Sequence, residues 1–159
     1  MIQEDYVSFE LAKLLKERGF DGSCNRYYEA DKKDVNGEHA SFMFASDLKS
    51  FCYVTNDLLN KYADKNDETI LAPTLQMAMD WLRDEHHYHI EIGILKPYKM
   101  NEKRDKLVPD DGVLYHANIF FMDKWDPYLE EFHKVGMGNE KTPEAQTEEA
   151  IKYCLEELI

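Results

Sequence analysis

Thr142-Pro143-Glu144-Ala145-Gln146-Thr147-Glu148-Glu149-Ala150-Ile151-Lys152-Tyr153-Cys154-Leu155-Glu156-Glu157-Leu158-Ile159 reads as an amphipathic helix. Thr142 suits the N-cap, Pro143 the first helical position where no donor is needed, and Glu144, Glu148 and Glu149 the positive end of the dipole. Thr147, Ile151, Cys154, Leu155 and Leu158 then share one face at helical spacing. Burying each large aliphatic side chain contributes roughly 1.5–3 kcal/mol, against a few tenths for an exposed ion pair. Packing therefore decides this segment, and Glu156 and Glu157 read as a solvated face, not as an acid/base pair.

A helix that needs covering must lie on something, and the rest of the chain supplies it. Ser8 caps a first helix in which Leu11, Leu14 and Leu15 continue a stripe begun by Val7; Gly19 stops it, with Phe20 placed to touch Leu15. A further helix is expected from Pro73 to His86, with Leu75, Ala78, Met79 and Leu82 on one face and Met77 and Trp81 on its flank. Between them, Arg26–Glu29 and Ala40–Phe44 flank Asn36-Gly37, a dipeptide suited to a tight hairpin. Phe51–Thr55 is aromatic and β-branched and predicts a third strand, followed by a short helix through Leu58, Leu59 and Tyr62 and a polar loop over Asp64–Glu68.

Beyond His86 the period changes. His89-Ile90-Glu91-Ile92-Gly93-Ile94 alternates, which places Ile90, Ile92 and Ile94 on a buried sheet face. Pro109-Asp110-Asp111-Gly112 marks a turn, and Val113–Met122 is apolar on both parities, predicting a central strand covered on both sides with Lys103–Val108 as its hairpin partner. Asp126-Pro127 opens a last short helix through Tyr128, Leu129, Phe132 and Val135, stopped by Gly136. The expectation is one α+β domain over residues 1–159, a mainly antiparallel sheet with helices packed on one face.

The three helical blocks Val7–Phe20, Ala72–Arg83 and Ala150–Ile159 resemble small uncharacterised proteins of gut anaerobic bacteria and their phages or mobile elements. The resemblance covers about a quarter of the chain, chiefly the helix faces just described, and this sequence has a longer Asp31–Asp67 region than those proteins. It implies a genomic setting and carries no activity with it.

Composition narrows the function. With 32 acidic against 19 basic residues, a formal charge of −13, the surface repels nucleic-acid phosphates and anionic membranes. Direct nucleic-acid binding and membrane association are therefore not expected. Acids interleaved with lysines also lack the ordered array that mimicry of DNA requires. An acidic first segment, Met1-Ile2-Gln3-Glu4-Asp5-Tyr6, and the lack of any apolar run of about 18 residues predict a cytoplasmic protein. Cys24, Cys52 and Cys154 are odd in number and in no CxxC pattern, which predicts reduced thiols.

The chemistry candidates are few. His86, His87 and His89 beside Glu85 form the one dense group of potential ligands, but their spacing matches no zinc motif, and strand alternation points His89 away from His86. We expect no metal and no cofactor. Gly136-Met137-Gly138 lacks the lysine of a phosphate loop, and no serine sits in a nucleophile elbow. Lys96, Lys99, Lys103, Arg104 and Lys106 concentrate base in one stretch of an acidic protein, which could dock an acidic partner or another copy. Two function classes follow. The first is a non-enzymatic interaction protein that modulates a host or phage protein through its acidic surface. The second is a small enzyme or ligand-binding domain with a pocket between the Pro73–His86 helix and the sheet, using Tyr115, His116, Asn118 or the histidine group.

Overall fold

The structure is a computed structural model that describes residues 5–32, 40–96, 98–100, 102–103, 106–109, 112–121, 137–140 and 142–159. Local signals place the helices. Helix α1 (Phe9–Glu17) starts where Ser8 accepts from the Leu11 N–H. It ends in the expected cap: Gly19 takes φ +92°, the Gly19 N–H donates to Lys16, and the Phe20 N–H reaches Leu15. After strands β1 (Arg26–Asp31) and β2 (Ser41–Phe44) come α2 (Ala45–Lys49) and α3 (Asn56–Tyr62), the latter capped by Thr55.

Strand β3 (Asp67–Leu71) precedes α4 (Leu75–His86), which is followed by β4 (Tyr88–Leu95), β5 (Tyr98–Met100), β6 (Leu107–Pro109), β7 (Leu114–Phe121), β8 (Met137–Glu140) and α5 (Pro143–Tyr153). Among the described residues the strands pair antiparallel, in three sheets ordered β2-β1-β3, β4-β7-β8 and β5-β6. The fold is thus α+β with antiparallel sheets. One contiguous apolar cluster runs from Val7 and Leu11 through Tyr27, Ile70 and Leu82 to Ile119, Ile151 and Leu155, joining both three-stranded sheets to α1, α4 and α5.

Several local expectations give way to tertiary pairing. Phe51–Thr55 is not a third strand: Val54 alone bridges Cys24, by two backbone bonds of 2.7 and 2.9 Å. The third strand is instead β3, which takes in Asp67 and Glu68 from the expected polar loop; their backbones pair with Asp31 and Ala30 whatever their side-chain polarity. Pro73 does not open α4. Thr74 caps it by accepting from the Met77 N–H at 3.2 Å, and the Pro73 carbonyl accepts from Val7. Ile90 is buried and Ile92 half-buried, but Ile94 is 62% exposed, because β4 runs past the helices that cover its face. Strand β7 is central, between β4 and β8, yet only Ala117 and Ile119 are buried on it, so only the middle of one face is fully covered and the other face is half-buried. The Lys103–Val108 stretch pairs with β5 through β6, and not with β7. The Asn36-Gly37 turn, the centre of the Pro109–Gly112 turn and the Asp126–Gly136 helix lie outside the described residues.

Helix α5 buries pairs of neighbours, Gln146 with Thr147, Ala150 with Ile151, and Cys154 with Leu155. These pairs recur every four residues, longer than the α-helical turn of about 3.6 residues, so a regular helix rotates them away from the core. The chain answers by widening: Cys154–Leu158 is a π-helical turn, closed by the Ile159 N–H on the Cys154 carbonyl at 3.2 Å. Arg18 and Tyr88 donate to the carbonyls of Ile159 and Leu158 and hold that turn against α1 and β4.

Candidate interaction surface

The four histidines singled out above are dispersed by the fold. His86, in the last turn of α4, meets Trp81 edge to face at 4.6 Å, and burial, helped by His87 and Arg18 and opposed by Glu85, pushes its pKa down. His87 is exposed in the left-handed region, φ 62°, where it terminates α4 and donates its N–H to Arg83. His89 turns onto the outer face of β4, stacked on Phe120 at 6.3 Å and 3.6 Å from Glu91. His116 shares that outer face. It stands opposite Gly93 in the β4–β7 register, its ring occupies the space a Gly93 Cβ would need, and Asn118 lies 3.5 Å from its Nε2. Its Nδ1 is buried with no hydrogen-bond partner among the described residues. Among those residues no three His, Cys, Asp or Glu side chains gather as a metal would require.

The expected ligand site between α4 and the sheet is occupied by core. Leu75, Ala78 and Leu82 of α4 are buried with Ile90 and Ile119 of the sheet. Two open grooves lie elsewhere. One, about 300 Å³, separates α1 from α5 and is lined by Leu11, Leu14 and Ala145 with Glu10, Glu148, Glu149 and Lys152 at its rim. The other, about 440 Å³, lies where the N-terminal turns of α4 and α5 approach Asp5 and includes Met79 and Glu144. Neither gathers the convergent polar groups that a substrate site needs.

The most distinctive side-chain group was not singled out in the sequence. Phe42 and Phe44 alternate along β2, an edge strand, and so share a face with Arg26 and Tyr28 of β1. The Arg26 guanidinium lies 3.4 Å from the Phe44 ring centroid, 4.8 Å from that of Phe42 and 5.6 Å from that of Tyr6. Phe42 is itself packed on Tyr6 at 5.2 Å and on Tyr28 at 5.0 Å. The Tyr28 hydroxyl anchors the group to the body by donating to the Val7 carbonyl at 2.8 Å. Phe44 nevertheless stays 51% exposed. The legible signal was the alternation Phe42-x-Phe44 itself; the cation came from another strand.

No protein-family model, curated protein or solved structure matches this chain. The functional reading therefore rests on the geometry. No helix among the described residues is long and apolar enough to cross a membrane. Of the three thiols, Cys24 and Cys154 are buried, and burial pushes both up to about 12, while Cys52 is exposed. The two buried thiols are thus held protonated, in contrast to the thiolate a nucleophile requires.

Proposed function

We propose that this chain is a non-catalytic interaction protein that binds a protein partner alongside β2. The observation that carries the reading is the Arg26–Phe42–Phe44 group, which combines exposed aromatic area and arginine at an open strand edge. Aromatic residues and arginine are enriched at interface centres because they offer large rigid area with a polar handle. An edge strand adds unpaired N–H and C=O groups that an extended segment can take up. The filled α4–sheet interface speaks in the same direction, since it leaves the ligand-binding alternative without its pocket. The strongly acidic composition suits a partner with a basic surface, recruited through long-range attraction. The helical resemblance supplies the setting, a phage or mobile element acting on a host or phage protein in the cytoplasm.

The test is affinity capture from nuclease-treated host lysate with wild type and the Phe44→Asp variant side by side, over a salt series. The expected result is a stoichiometric protein partner that weakens with salt and drops at least tenfold with Phe44→Asp. A partner indifferent to that substitution, or none at any salt, overturns the proposal.

A further inference from the structure

Within β2 the open edge comes down to a single residue. The Ala45 N–H donates to the Asn25 carbonyl, and the Ala72 N–H to the Arg26 carbonyl on the other side of β1. Bonded and non-bonded pairs alternate along an antiparallel ladder, so Ser41 and Met43 turn their backbone groups to β1 while Phe42 and Phe44 turn theirs outward. Phe44 is already used: its N–H donates to Asp47 at 2.9 Å, and as the N-cap of α2 it lends its carbonyl to that helix. Phe42 is therefore the β2 residue whose N–H and C=O remain for a partner, among the described residues. Two backbone bonds align a short extended segment but do not select one.

Selection falls to Arg26. It belongs to β1, yet its guanidinium lies over the Phe44 ring on the edge strand. The rings hold it by their faces and use none of its N–H donors. Ion pairs among the described residues join Arg83 to Asp80 and Asp84, and His89 to Glu91, so in a chain with 32 acidic residues none of them is spent on Arg26. Asp47, the carboxylate that begins α2, is taken by the Phe44 N–H. A planar fork of donors, stacked in place and unpaired, matches the two oxygens of a carboxylate. Every second side chain of an extended segment bonded to Phe42 points to the face that Phe42, Phe44 and Arg26 share.

We propose that the β2 surface takes a short extended peptide segment whose backbone pairs with Phe42 and whose Asp or Glu side chain, on the shared face, forms a bidentate pair with Arg26. This rests on the β2 reading above and names what that surface recognises. Stacking fixes the guanidinium plane before the partner arrives, which lowers the ordering cost of the pair. The carboxylate is one local contact; the long-range attraction to a basic partner is set by the charge of the whole chain.

Titration of the isotope-labelled protein with the capped peptide Lys-Thr-Val-Glu-Val-Thr-Lys, and with versions carrying Gln or Lys in place of the central Glu, tests it by NMR. The expected result is that the Glu peptide shifts the Phe42 amide and the Arg26 Nε–H and binds about tenfold more tightly than the Gln peptide. Arg26→Lys keeps the charge but loses the fork, and should lose most of that preference. Arg26→Glu should turn the preference toward the Lys peptide, a result that a damaged fold does not give. Equal affinity for the Glu and Gln peptides overturns the proposal, as does a preference that Arg26→Glu leaves unchanged, or no binding of either peptide at about 1 mM. Equal peptides together with a lysate partner that Phe44→Asp releases would remove the carboxylate and leave the β2 surface standing, whereas a lysate partner indifferent to Phe44→Asp removes the surface itself.

Discussion

The Ser8 backbone N–H donates to Oε1 of Glu148 at 2.8 Å, joining the start of α1 to a residue 140 positions later in α5. Ser8 already satisfies the Leu11 N–H with its own hydroxyl. Glu148 therefore completes from another helix what a glutamate in the first turn of α1 would do in a capping box, and sets a carboxylate at the positive end of that helix. Replacing Glu148 by Ala is expected to cost about 1 kcal/mol, the worth of an exposed charge-assisted bond, whereas the neighbouring and exposed Glu149→Ala stays within about 0.5 kcal/mol. Urea unfolding midpoints of the two variants check this; equal midpoints would remove the tether from the stability argument.

The apolar sides of α5 and β4 make a second contrast. Leu155 is fully buried, so Leu155→Ala should cost about 2–5 kcal/mol through lost transfer energy and a residual cavity. Ile94 was expected to share the buried face of β4 but is exposed, so Ile94→Ala should stay within about 0.5 kcal/mol in the monomer. Thermal or urea denaturation at low protein concentration reads both, and a large loss at Ile94 would mean that its face is covered.

Gly93 and His116 form a third testable pair. A methyl group at position 93 collides with the His116 ring. Gly93→Ala is expected to destabilise by about 1–3 kcal/mol as an overpacking substitution. In a His116→Ala background that cost should largely vanish, since the ring is the obstacle. A double-mutant cycle by chemical denaturation measures the coupling, and simple additivity would show that the ring does not sit over Gly93.

Thiol chemistry supplies a prediction with a defined pH window. Burial raises Cys24 and Cys154 from 9.0 to about 12 in the folded chain. The unfolded state then loses these protons first, so the stability associated with them is fully present below the unfolded value and is lost as pH rises from about 9 toward 12. Raised pKa values at the buried Tyr27 and the half-buried Tyr28 act with the same sign. Unfolding midpoints should fall steadily above about pH 9. A thiol reagent at neutral pH should modify Cys52 quickly and the other two only on unfolding; three fast thiols in the native protein would contradict their burial.

What the sequence determined by itself was local. Ser8, Gly19 and Thr142 act on backbone groups within a few residues of themselves, and a helical stripe such as Ile151-Cys154-Leu155 states which side must be covered. Those parts of the fold were legible because cap and period lie within one stretch of chain. The rest depended on pairing between distant segments, on which alternation is silent. Nothing in Asp67–Leu71 announces that β1 will pair with it, and nothing in Leu107–Pro109 says that its partner is β5 and not β7. The histidines near residue 87 looked like a group because they are close in sequence, but a left-handed residue and a strand face send them in different directions. The Arg26–Phe44 contact had the opposite character: it is absent from any local pattern and arises only when antiparallel register brings β1 against β2. Side-chain chemistry along the chain sets what can be buried, and only tertiary pairing decides which exposed groups end up side by side.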